Sequence, residues 1–139
     1  MFRHHAQAHL TLVAIFLIGT TLSASDWPRF RGTAGTGISP DKNLPAEIDR
    51  TKNVLWSIKV PQGNSSPIIL KNQIFLSAHE GDELIVICFD ENGKELWRKG
   101  ITKARTERFH PKNGPTTPTP TTDGQNIFVF FPEFGLLAF

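Results

Sequence analysis

Five residues in one short stretch carry the side chains best suited to recognition chemistry: Arg105, Arg108, His110, Lys112 and Asn113. Arginine presents a planar fork of donors that matches carboxylates and phosphates, lysine a point charge, and histidine and asparagine further donors suited to sugar hydroxyls. They fall in "ITKARTERFHPKNGPTTPTP", residues 101–120, and a connection of that length in a compact β domain is often functional. From Lys94 to Lys112 seven basic residues stand against Glu95 and Glu107, an excess that favours an anion. The same composition also suits a solvated basic loop that contacts neighbouring structure, the commoner role of a charge run.

Other groups of reactive side chains carry less. His79, Glu80, Asp82 and Glu83 offer metal-ligand types, but "HEGDE" is too compressed for calcium, which wants spaced oxygens around a glycine turn, and it reads as a polar hairpin tip. Gly32, Gly35 and Gly37 in "RGTAGTG" resemble a phosphate cradle only superficially, since no buried strand precedes them and no helix follows. Ser65 and Ser66 lack a histidine and acid in a recognisable nucleophile motif, and turn chemistry before Pro67 accounts for them. Cys88, the single cysteine, excludes an internal disulfide and sits in the apolar run "ELIVICF", where it reads as a small buried hydrophobe. No residue is assigned a catalytic or metal-binding role.

The elements that must position these groups begin after a leader. "MFRHHAQAH" followed by the apolar run from Leu10 to Leu22 reads as a secretory signal peptide over residues 1–25, with small residues Ser23, Ala24 and Ser25 at the junction. The apolar stretch is short against the roughly 20 residues of a membrane span. Export to the periplasm or the cell exterior is the expectation, with an uncleaved anchor as the alternative. His4, His5 and His9 leave with this segment. Of 15 Lys and Arg only Arg3 goes with them, so 14 remain against 13 Asp and Glu. A chain so nearly neutral has no general attraction to nucleic acid or membrane.

Residues 26–52 are rich in Gly and Pro and read as an irregular arm, from which Trp27, Phe30 and Ile38 are candidates to pack on a sheet. Beyond it the chain is all-β. "VLWSIKV" alternates, placing Val54, Trp56, Ile58 and Val60 on one face of a half-buried strand. "PIIL" and "QIFLSA" flank a turn at Lys71 and Asn72, "DELIVICFD" is apolar on both faces and hence central, and "KELWRKGI" follows "DENG", whose Asn92-Gly93 pair tolerates positive φ at both positions.

The pattern then repeats. "SPIILKNQIFL" from Ser66 lies on "TPTTDGQNIFV" from Thr119 without a gap, an offset of 53 residues that sets Ile74 on Ile127 and Phe75 on Phe128. "LIVICF" from Leu84 falls on "FGLLAF" at an offset of 50, and Leu55-Trp56 anticipates Leu96-Trp97 at 41. Units of this length with about four short strands predict a β-propeller of four-stranded antiparallel blades, with residues 53–139 supplying the first one to two.

At these residues the sequence resembles a known family. "CFDENGKELW" is similar to the Asp, Gly-Lys, Trp phrase of pyrroloquinoline-quinone-type repeats. The opening "DWPRFRGTAGTGISP", with "VLWSIKVP", "SSPII" and "HPKNGPTTPTPTTDG", is more similar to the secreted PQQ-binding-like β-propeller repeat proteins than to the quinoprotein dehydrogenases. The resemblance implies a scaffold role for Asp90, Gly93, Lys94 and Trp97, the tryptophan docking one blade on the next. Two residues, Glu91 and Asn92, separate Asp90 from Gly93, one fewer than the dehydrogenase-type phrase has. The second copy of the phrase does not follow Phe139, so the chain reads as an N-terminal fragment of a longer propeller. The expected function is a secreted, non-catalytic scaffold that binds a protein or carbohydrate partner without a cofactor. The alternative is the N-terminal part of a quinoprotein dehydrogenase using pyrroloquinoline quinone with calcium.

Overall fold

The computed structural model describes residues 25–139, so the signal peptide expected over residues 1–25 lies, Ser25 apart, outside the described residues. Among the described residues there is no α-helix, and no helix is long and apolar enough to cross a membrane. One 3-10 turn, Thr33–Gly35, interrupts the arm. Seven strands follow: β1 Ile68–Leu70, β2 Gln73–Glu80, β3 Glu83–Asp90, β4 Glu95–Thr102, β5 Thr121–Thr122, β6 Ile127–Phe131 and β7 Gly135–Ala138. They form a four-stranded antiparallel sheet in the order β1-β2-β3-β4 and a three-stranded antiparallel sheet in the order β5-β6-β7.

The second sheet reproduces the pairing of the first. Ile68 pairs with Phe75 and Ile69 with Ile74 in the first sheet; Thr121 pairs with Phe128 and Thr122 with Ile127 in the second. Every partner has moved by the 53-residue offset seen in the sequence. In the next ladder Phe75 faces Cys88 and Leu76 faces Ile87, while Phe128 faces Ala138 and Val129 faces Leu137. There the later strand has moved by 50, so the β6–β7 hairpin is three residues tighter than its counterpart. Ile127 and Phe139 extend the match, exchanging two backbone hydrogen bonds of 3.0 Å.

Burial explains why the two sheets stay together. Ile68, Leu70, Phe75, Leu84, Val86 and Cys88 of the first sheet meet Ile127, Val129 and Phe131 of the second, and Trp97, Ile101, Leu137 and Phe139 close the rim. Each large apolar side chain so enclosed contributes about 1.5–3 kcal/mol relative to exposure. Because side chains alternate along a strand, Ile85, Ile87 and Phe89 of β3 point to the other face, where they are buried with Ala78. Between β2 and β4 and buried on both faces, β3 is the central strand that its composition requires.

Cys88 is fully buried and free. Burial, with Asp90 nearby, pushes its thiol from the ordinary 9.0 up to about 11. The folded value lies above the unfolded one, so this group's contribution to stability is fully present below 9.0 and is lost as pH rises toward about 11. Iodoacetamide at about pH 8 is expected to leave Cys88 untouched in the native protein and to alkylate it after denaturation; rapid native labelling would contradict this burial.

The arm and the first alternating segment depart from expectation. Trp27 is half-buried and pairs with Ile69 through backbone hydrogen bonds of 2.9 and 3.0 Å, while Pro28 C=O accepts the Thr122 N–H at 3.0 Å. The arm thereby ties β1 to β5. Phe30 and Ile38, however, are exposed at 61% and 73% and pack on no sheet. Residues 54–60 form no strand: Val54, Leu55, Ile58 and Val60 are exposed, and the nearest ladder contact is a single Gln62–His79 bridge. Alternation creates a strand only where a neighbouring backbone accepts its hydrogen bonds, and residues 54–60 make no backbone hydrogen bond to a described strand.

Candidate functional site

The "DENG" turn shows how the repeated phrase is built. Asp90 Oδ1 accepts the N–H groups of Asn92 and Lys94, both at 2.9 Å, and the Asp90 N–H donates to Lys94 C=O at 2.9 Å. Gly93 has φ of +80°, but Asn92 does not join it at positive φ, so the two-residue turn expected from Asn-Gly is replaced by a type I turn ending in a bulge. Among the hairpin turns, the residue pair that does take positive φ together is Lys71 and Asn72, at 49° and 63°, between β1 and β2.

Trp56 seats on this turn. Its indole N–H donates to Glu91 C=O at 2.8 Å, and a Cβ at position 93 would lie 2.6 Å from the ring. Gly93→Ala is therefore expected to cost about 1–2 kcal/mol from backbone conformation alone, and to shift the Trp56 fluorescence as the ring is displaced. An unchanged spectrum would show that Trp56 does not rest there. Trp97 lies between Phe75 and Phe139, with centroids 5.9 Å from each and interplanar angles of 55° and 29°. Lys94 takes part through its backbone groups.

The long loop is organised around a residue that the sequence reading passed over. Glu133, in the β6–β7 turn, is 2% exposed. Its C=O accepts the N–H groups of Ala104 and Arg105 at 2.9 and 3.1 Å, and its Oε1 accepts the Glu107 N–H at 3.3 Å. The Lys103 ammonium stands 3.1 Å from Oε2 and 3.7 Å from Asp82 Oδ1. The short Lys103 contact neutralises charge but misses hydrogen-bond geometry, because Oε2 accepts no hydrogen bond among the described residues. At the loop's far end Thr116 is fully buried, with its Oγ1 3.3 Å from His79 Nδ1.

Between these anchors lies a cleft of about 330 Å³ lined by Gln62, His79, Lys103, Glu107, Phe109 and Glu133. An adjoining hollow of about 570 Å³ shares Gln62, His79 and Phe109 with it and continues to Asn113. The five residues expected to gather an anion are not assembled by this loop into one pocket. Arg105 is neutralised by Glu107, with Nε 2.8 Å from Oε1, and Arg108 is exposed. His110 Nδ1 accepts the Lys112 N–H at 3.3 Å, and the His110 C=O accepts the Asn113 N–H at 2.7 Å, a local turn rather than a ligand cradle. Of the five, Asn113 lines the hollow. Ser65 Oγ donates to Ser77 C=O and accepts its N–H, at 3.0 and 3.1 Å, a tie to β2 rather than the local turn bonding expected before Pro67.

The signal for Glu133 was present in "FFPEFG", where an acid sits in a turn among aromatics. No spacing rule connects it to Lys103, because the two meet only through the packing of the second sheet on the first. Among the described residues no group of three His, Cys, Asp or Glu is gathered that could hold a metal ion. No protein-family model, curated protein or solved structure matches the chain.

Proposed function

We propose that this chain is an exported repeat scaffold of the β-propeller type, non-catalytic, which binds a protein or carbohydrate partner through the loops at one end of its sheets. The observation that supports it is the recurrence of one strand-pairing pattern in two successive sheets at the sequence offsets 53 and 50. Trp56 adds to it: the tryptophan of one phrase rests on the turn of the next, as a unit that buries its surface against its neighbours requires. The loops converge on a polar cleft lined by Gln62, His79, Lys103, Glu107 and Glu133, side chains able to donate and accept hydrogen bonds to a partner.

The test has two arms. Expressed with its leader in a bacterial host, the chain is expected in the periplasm with a mature N-terminus near Ser25, read by mass spectrometry. The recovered protein is then mixed with insoluble peptidoglycan, chitin and cellulose and with crosslinked envelope proteins, and retention on one of these is expected. Dye-linked alcohol oxidation after addition of pyrroloquinoline quinone and calcium would overturn the non-catalytic reading. Retention in the cytosol would overturn export.

A further inference from the structure

We infer that the cleft between Gln62, His79, Lys103, Phe109 and Glu133 takes a neutral polyhydroxyl ligand, a hexose unit, one hydroxyl of which bridges the Lys103 ammonium and the Glu133 carboxylate. This deepens the scaffold reading and rests on it, choosing carbohydrate over protein as the partner. The choice follows from charge. In the lining Lys103 stands against Glu107 and Glu133; Arg105 holds Glu107 from beside the cleft, and Lys103 reaches Asp82 as well as Glu133, so each charge is already in contact with an opposite one. An anion entering here meets two carboxylates, and a cation meets the Lys103 ammonium. A hydroxyl meets neither penalty, because it donates to a carboxylate and accepts from an ammonium at once.

The groups lining the cleft complete that inventory. Gln62 makes no side-chain hydrogen bond among the described residues and offers both a donor and an acceptor. His79 uses Nδ1 toward Thr116 and leaves Nε2 for the cleft. Phe109, half-buried, and Pro115 supply apolar walls, which suit the C–H faces of a sugar ring. The volume of about 330 Å³, with the hollow of about 570 Å³ beside it, falls in the range of about 300–1,000 Å³ found for small-molecule sites.

Glu133 supplies the independent observation. Its Oε2 is shielded from water and accepts no hydrogen bond among the described residues, a deficit that native interiors rarely leave uncorrected. Lys103 covers it, and the same ammonium has a second, exposed anchor in Asp82, 3.7 Å away. A small turn of Lys103 toward Asp82 uncovers Oε2 and admits a hydroxyl, which satisfies the carboxylate and keeps the ammonium paired. The exposed Asp82 is thus the seat to which Lys103 moves when ligand enters.

The experiment titrates the full chain with glucose, galactose, mannose and N-acetylglucosamine, following the Gln62 and Asn113 side-chain amides by NMR. Gluconate and glucosamine serve as charged counterparts, and maltotriose separates a glycan chain from a free sugar. At least one neutral sugar is expected to saturate with a Kd in the range of about 1–10 mM, with gluconate and glucosamine at least about fivefold weaker. Tighter binding of maltotriose identifies a glycan chain and equal binding a free sugar. Gln62→Ala and Phe109→Ala, at positions outside the sheet core, are each expected to weaken binding by about five- to tenfold, and Asp82→Asn by severalfold. The inference is overturned by the absence of saturation with all four sugars, by preferred binding of a charged counterpart, or by binding that survives all three variants unchanged. In any of these outcomes, retention on crosslinked envelope proteins together with export would leave the scaffold reading standing, so the two fail separately.

Discussion

Replacing Lys103 by methionine is expected to lower the unfolding free energy by about 3–5 kcal/mol, the usual consequence of removing one partner from a buried ion pair. The magnitude follows from burial: the Glu133 side chain is 3% exposed and that of Lys103 18%, and no other cation is within ion-pair distance of Glu133 among the described residues. The methionine fills much of the lysine stem's volume, so the loss isolates charge from packing. Adding Glu133→Gln to Lys103→Met is expected to restore most of the lost stability, since the amide oxygen still accepts the Glu107 N–H that Oε1 holds at 3.3 Å. Urea unfolding of the wild type, both single variants and the double variant closes the cycle. Additive losses, with no recovery in the double variant, would show that the pair carries no coupling energy.

Trp97→Ala is expected to cost about 3 kcal/mol, toward the lower end of large-to-small substitutions because the ring is half-buried. The ring stands between Phe75 on β2 and Phe139 beyond β7, so truncation removes contacts on both sheets and opens the rim of the shared core. Thermal melting followed by far-ultraviolet circular dichroism measures the loss, and Trp97→Phe is expected to return more than half of it by preserving a stacked aromatic. An alanine variant that melts with the wild type would mean that Ile127, Val129 and Phe131 hold the two sheets together without Trp97.

How far the sequence carried can be judged on particular residues. The strands β1 to β4 follow the predicted segments closely, because alternation, turn residues and β-branched composition all point the same way between residues 67 and 102. The repeat offsets proved to be pairing offsets: Ile74 faces Phe89 and Ile127 faces Phe139, and the three residues missing between them shorten the hairpin without changing which positions pair. Residues 54–60 failed for the opposite reason: alternation describes a strand's faces but is silent about whether an edge is there to receive it. The candidate site was the least legible part. Charge counting drew attention to Arg105, Arg108 and Lys112, yet what organises the loop is Glu133, whose burial and partners are fixed by tertiary packing.

The clasp made by the arm has a consequence for the order of events when the chain is made. Thr121 Oγ1 and the Thr122 N–H both donate to Pro28 C=O, joining positions 93 and 94 residues apart. A ribosome delivers Pro28 long before Thr122, so these bonds, unlike the Trp27–Ile69 pairing, can close only after β5 has emerged. Closing so long a loop carries an entropic cost that short hairpins avoid. The β2–β3 and β3–β4 hairpins, whose contacts are local, are free to form first. The Pro28 end of the arm is then set in place after its Trp27 end, a latch that reports the arrival of the second sheet. A protease cutting among residues 26–30 would accordingly distinguish finished molecules from unfinished ones, sparing the former.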